Sequence, residues 1–215
     1  YKRQEIIFPN KGLAMWATPD PIFSSAQCAV WNDWAHEQFS SYGQAMHPVA
    51  AIATGDLDCA MAEIERVAKM GYTTLSLPCK PIWGAHDVDH VNYNLPHFDP
   101  MWALIQEADL TMTFHVSTGR DPRASRGNGG AVINYVTHSL APTIEPIANL
   151  CASGVLERFE NLRFASVEAG IGWVPWLLDA MDEAYRKHHM WVRPKLQMMP
   201  LSLIHISEPT RPIHI

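Results

Sequence analysis

No stretch of this 215-residue chain approaches the ~20 consecutive apolar residues that a membrane-crossing helix needs. No basic or acidic block occurs, and the net charge of -6 is spread along the chain, which speaks against nucleic acid or a charged tail. There are only four cysteines, Cys28, Cys59, Cys79 and Cys151, widely spaced, with no CxxC pair. That spacing excludes a disulfide scaffold and a zinc ribbon, and predicts reduced, buried thiols. No GxGxxG follows an apolar run, so nothing points to a dinucleotide fold. There is no HxH pair, no HExxH, no secretory leader and no initiating Met; the chain opens on YKRQEIIFPN. The expectation is a cytoplasmic protein that meets neither membrane nor nucleic acid.

What is present is ordinary globular composition, 47% hydrophobic and 18% charged. Short apolar runs alternate with helical patterns. The runs are 5–9, 47–54, 72–78, 111–117 and 162–168, each bounded by Pro, Gly, Asn or Asp. Between them the 3.6-residue period predicts helices over 20–41, 56–70 and 172–189. Another starts at Asp99-Pro100, with Asp99 as N-cap, and one over 130–158 is broken by Pro142 and Pro146. Asp56 and Gly71 suit the N-cap and C′ positions of the 56–70 helix. Strict β-α alternation means right-handed units and a parallel sheet. Two architectures fit: a complete five-stranded doubly wound domain, or five consecutive units of a (β/α)8 barrel.

In either architecture function belongs at the C-terminal ends of the strands. His115 ends the fourth run in TMTFHVSTGRDP. A neutral imidazole there suits Zn2+ or Mn2+, and equally a core histidine bonded to a carbonyl. Glu168 ends the fifth run beside a glycine turn, where it suits a general base, a ligand or an acceptor for turn amides. Arg120, Arg123 and Arg126 form a basic loop after His115, matched to a carboxylate or simply solvated. His86, His90 and His97 share a long loop, His188 and His189 suit a helix C-terminus, and His138 suits hydrogen bonding within a helix. Trp16, Trp83 and Trp173 fall near strand ends, as an aromatic wall or as core.

The stretch from MTFHVSTGRDP through INYVTHSLAPTIEPIANLCASGVLERFENLRFASVEAGIGWVPWLLDAMDEAY resembles the amidohydrolase-related group of the amidohydrolase superfamily. This group includes enzymes of the aminocarboxymuconate-semialdehyde decarboxylase type. LAMWATPDP, VAAIATGDLD and LSLPCKPIWGAHD fit the same group, so the resemblance spans about residues 5–199. It implies an α/β fold, a partial (β/α)8 barrel comprising about strands 2 to 6 with their helices. It also implies a divalent metal and hydrolysis or non-oxidative decarboxylation of a small carboxylate-bearing substrate. The family's ligands are an HxH on strand 1, a His ending strand 5 and an Asp ending strand 8; His115 matches the strand-5 ligand. Many members carry a second His at the end of strand 6, where this chain has Glu168. The resemblance makes Glu168 the candidate proton carrier, and Arg120 and Lys80 candidate carboxylate clamps. Trp16 and Trp173 are candidates for a wall around a planar acid.

From residue 201 the pattern changes. LSLIHISEPTR resembles, codon by codon, a translated sequencing adapter. The expected organisation is an incomplete barrel over 1–200 and a foreign tail over 201–215. A partial barrel exposes sheet edges and apolar faces, so the chain as written is expected to be inactive and to self-associate or aggregate. A non-catalytic α/β binding module is the remaining alternative.

Overall fold

The computed structural model describes residues 4–43, 45–82, 92–118, 125–188, 196–200 and 202–203. The apolar runs form parallel strands: β1 (Glu5–Ile7), β2 (Met46–Pro48), β3 (Ala50–Ala51), β4 (Thr74–Leu77), β5 (Thr111–His115) and β6 (Arg163–Val167). The second run is split in two. Its first half, β2, pairs with β1, and its second half, β3, opens the sheet β3-β4-β5-β6. The unit is thus a stretch of parallel α/β structure.

The helices are α1 (Pro21–Phe39), α2 (Leu57–Lys69), α3 (Asp99–Glu107), α4 (Gly130–Ile133), α5 (Ile144–Ala152), α6 (Val155–Arg158) and α7 (Val174–His188). Two of their ends behave as the sequence predicts. The Asp56 side chain accepts from Cys59 N–H at 2.8 Å, and Gly71 takes φ +92° after α2. The bonded amide of Cys59 holds the Asp56 carboxyl below its ordinary value. The cap's contribution is therefore complete above about pH 3.9 and lost as pH falls through the lower folded value. Asp99 differs from the expectation. It is the first helical residue rather than the N-cap, and its carboxylate is taken by Arg158, at 2.8 and 3.1 Å. Pro142 lacks an N–H and crowds the carbonyl of His138; the preceding turns, Asn134–Leu140, widen into a π-helix. Pro146 lies in the first turn of α5, where a missing N–H goes unnoticed.

Register gives the sheet two unlike faces. Ala50, Leu75, Met112 and Phe164 align on one, and Ala51, Ser76, Thr113 and Ala165 on the other. The first face packs against the helices, with Leu75, Met112 and Phe114 fully buried among Ile64, Trp102 and Leu150. The second face is small and partly polar, and His115 continues it at the strand end. β3, β4 and β5 are buried on both sides, but only one side is oily, and Ala165 of β6 and Ile6 of β1 are exposed.

The edge of β3 beyond β1 is closed by side chains of α1. Trp31 Nε1 donates to Val49 O at 2.9 Å, and Asn32 bonds both Ala51 N (2.7 Å) and Ala51 O (2.9 Å). Asn32 is fully buried, so Asn32→Leu strands a backbone donor and acceptor, each costing about 1–3 kcal/mol. Urea denaturation of that variant is expected to show a loss of about 2–6 kcal/mol for the two groups together. The sequence pattern did not single out Asn32, because polar and apolar residues are mixed around α1 and no apolar stripe marks its buried side.

The outer side of α1 leaves Phe23, Val30 and Trp34 exposed beside an apolar groove of about 520 Å3 that also touches Gly12 and Met15. Val132, Ile133, Tyr135 and Val136 are likewise exposed. Among the described residues no helix is long and apolar enough to cross a membrane.

Candidate metal centre

His115 is the last residue of β5, and its side chain is only 6% exposed. Its Nδ1 lies 2.9 Å from the carbonyl oxygen of Val116. A carbonyl only accepts, so Nδ1 carries a proton, and in the neutral imidazole Nε2 holds the lone pair. That is the tautomer a metal-ligating histidine needs, with its other nitrogen tied to a backbone oxygen. The Phe8 ring, 4.9 Å centroid to centroid, covers the imidazole from the β1 side.

Nε2 faces Glu168 Oε2 at 3.7 Å, too far for a hydrogen bond. The parallel register makes this approach unavoidable: His115 pairs with Val167, and Val116 N–H donates to Val167 O at 3.0 Å. Glu168 is therefore the first residue past β6, one step beyond the level of the histidine. Its backbone is left-handed, φ +59°, and Ser117 on the neighbouring strand end has φ +75°. Neither residue is a glycine, and this conformation costs each roughly 1–2 kcal/mol. Two strained residues side by side at adjacent strand ends are typical of a functional site. Ser117→Gly is expected to raise stability by about 1 kcal/mol in urea denaturation, because glycine enters this region freely.

Below the pair the strand ends are stitched together. Thr118 Oγ1 donates to His115 O at 2.8 Å, and the Cys79 thiol lies 3.3 Å from the same hydroxyl. Cys79 N–H donates to Thr118 O at 3.1 Å. Burial pushes the Cys79 thiol up to about 12, so at neutral pH it is a protonated packing group, as the sequence suggested for the cysteines. One strand further over, the buried Tyr93 hydroxyl donates to Pro78 O at 2.7 Å and meets Thr54 Oγ1 at 2.8 Å. Tyr93 was not singled out in the sequence; its loop position carries no periodic signal.

The other candidates are scattered around this pair. Lys80, two residues past Pro78, forms an ion pair with Glu145 at 3.2 Å, so a substrate carboxylate there would compete with Glu145. Trp173 is half-buried in the turn after β6, its Nε1 donating to Ala169 O at 2.9 Å. Trp16 is 3% exposed and donates to Ile52 O, packed with Met15 and Cys28. His138 bonds Asn134 Oδ1 at 3.0 Å inside the π-helix, the role expected of it. His188 lies in the last turn of α7. Arg120, Arg123, Trp83, His86, His90 and His189 lie outside the described residues. Among the described residues no three His, Cys, Asp or Glu side chains converge on one point.

Residues 16–202 match the amidohydrolase family. The chain belongs to the amidohydrolase family. Solved structures of similar fold agree. An amidohydrolase from Mycobacterium avium subsp. paratuberculosis superposes with a TM-score of 0.77 at 18% identity, over 95% of this chain and 53% of that one. A 5-carboxyvanillate decarboxylase from Sphingomonas paucimobilis gives 0.71 at 19% identity, over 95% of this chain and 59% of that one. A dihydroxybenzoic acid decarboxylase from a Polaromonas species, with bound manganese and the inhibitor 2-nitroresorcinol, gives 0.61 at 18% identity, over 83% and 52%. This amidohydrolase chain thus spans between half and three-fifths of the length of these relatives. No curated protein matches it at a significant level. The agreement in fold decides between the two architectures left open by the sequence: the sheet is part of a (β/α)8 barrel.

Proposed function

We propose that this chain is the central part of a metal-dependent amidohydrolase-family enzyme, acting on a small carboxylate-bearing substrate by hydrolysis or by non-oxidative decarboxylation. The supporting observation is His115: a buried imidazole at a strand's C-terminal end, its Nδ1–H bonded to Val116 O and its Nε2 left as donor. It fits a divalent ion, Zn2+ or Mn2+, and the manganese bound in the Polaromonas decarboxylase supports the second. When bound, the ion would polarise a substrate oxygen and, in a hydrolase, activate water. His115 would hold and orient it, and the strained turns at Ser117 and Glu168 would fix the neighbouring groups. Lys80, Arg120 and Trp173 are proposed to receive the substrate's carboxylate and ring. The remaining ligands are proposed to come from parts of the enzyme outside this chain. The chain alone is then inactive, and its exposed α1 stripe supports self-association.

The test is the intact gene. Its reading frame should carry an HxH upstream and a strand-end Asp downstream. The product, loaded with Mn2+ or Zn2+, should release CO2 from hydroxylated aromatic acids or hydrolyse a related carboxylate. A frame lacking both motifs, or a product that binds no metal, overturns the reading.

Residues 201–215 are proposed to be a foreign tail. One of them, Leu203, is nevertheless 1% exposed within the core cluster. Trimming after residue 203 is expected to leave the unfolding midpoint unchanged. Trimming after residue 200 withdraws a buried leucine, worth about 1.5–3 kcal/mol, and should lower it.

A further inference from the structure

We infer that Glu145 is a specificity-determining residue: a resident carboxylate that occupies Lys80 and that an anionic substrate must displace. The inference rests on the carboxylate-binding reading of Lys80 and adds the group that sets its availability. Three observations carry it.

The first is the bracing of Lys80. The backbone leading to it is held on both sides of the strand end. Pro78 O accepts from the Tyr93 hydroxyl at 2.7 Å, and Cys79 N–H donates to Thr118 O at 3.1 Å. Pro81 follows, and a residue before proline is restricted to extended backbone. The chain thus fixes where the lysine starts, and only its flexible stem moves.

The second is the place. The Cys79 thiol lies 3.6 Å from His115 O, so the next residue, Lys80, stands at the same corner as the imidazole. Glu145 comes from a different element, the first turn of α5, where the helix N-terminus favours a negative charge. The two charges meet from separate parts of the chain, beside the proposed site.

The third is the quality of the contact. Nζ and Oε2 are 3.2 Å apart, with the side chains 41% and 36% exposed. That is long for a charge-assisted bond, and exposed pairs of this kind exchange readily. A tie between elements that serves stability looks like Arg158 on Asp99, bonded twice, at 2.8 and 3.1 Å.

Glu145 is tethered beside the cation, so its effective concentration there exceeds that of a free small anion. An anion whose sole contact is Lys80, such as chloride or acetate, is outcompeted. A carboxylate that finds further contacts in the site displaces Glu145. The discrimination comes from this built-in competitor as much as from attraction to the right ligand.

The test uses the intact enzyme, with benzoate as probe and benzamide as its neutral counterpart, each titrated by calorimetry. Glu145→Gln should bind benzoate about two- to fivefold more tightly, the worth of an exposed ion pair, and benzamide unchanged. Lys80→Met should weaken benzoate about tenfold or more, and adding Glu145→Gln to it should gain nothing. Glu145→Ala removes even the amide that still bonds Lys80, and should tighten benzoate at least as much as Glu145→Gln. Unchanged benzoate affinity in both Glu145 variants, or a gain that persists beside Lys80→Met, overturns the inference and leaves Lys80 a carboxylate clamp. Benzoate affinity unmoved by Lys80→Met overturns the carboxylate reading of Lys80, and this inference with it.

Discussion

Replacing His115 by alanine in the intact enzyme should lower its affinity for divalent metal by more than about 100-fold and abolish turnover. The magnitude follows from the position of the residue. Loss of a group that merely orients a ligand typically costs about 10–100-fold, and His115 is proposed to be the ligand. The fold should survive the change. The bonds that brace this corner, from Thr118 Oγ1 and Thr118 N–H, go to the backbone carbonyl of His115, which alanine keeps. Metal content after dialysis and the denaturation midpoint, measured together, separate the two effects. A variant that stays folded and retains full metal and turnover would show that His115 is a hydrogen-bonded core residue.

The largest effect on stability is expected at Trp102. It is fully buried, with Tyr93 and Phe98 ring centroids 5.5 and 6.1 Å away. Trp102→Ala removes the centre of that cluster, at a cost of about 3–5 kcal/mol. Domains of this size have only about 5–15 kcal/mol in hand, so a large share of the variant should be unfolded at 37 °C. Trp102→Phe should be far milder. The indole N–H is buried with no partner among the described residues, and phenylalanine removes that unsatisfied donor along with some volume. Circular dichroism melts of the two variants give the comparison. A phenylalanine variant as unstable as the alanine one would mean that shape, not the orphan donor, dominates there.

These two predictions sit on different layers of the molecule, and the layers were legible in the sequence to different degrees. Strand and helix positions were readable because burial imposes a period on the residues that meet the core. Asp56 and Gly71 at the ends of α2, and the apolar stripe of that helix, appear as expected. The chain's own spacing also placed His115 and Glu168 at strand ends. Asp99 was misplaced by one position because local propensity favours it as a cap, whereas Arg158, 59 residues away, claims its carboxylate. The split of the second run into β2 and β3 was invisible for a similar reason: both halves are apolar, and only pairing partners tell them apart.

By itself, then, the sequence determined the alternation of strands and helices, which side chains face the core, and the presence of an imidazole and a carboxylate at neighbouring strand ends. These follow from local geometry and from periodicity, both encoded in adjacent residues. The barrel was decided by the likeness to solved structures, and only the tertiary structure decided that Asn32 closes the β3 edge and that Glu168 lies within 3.7 Å of His115. The last depends on the register of β5 against β6, which pairs His115 with Val167, and the Asn32 contact on how α1 lies along the sheet; both are set by the packing of the whole layer, not by any short stretch within it.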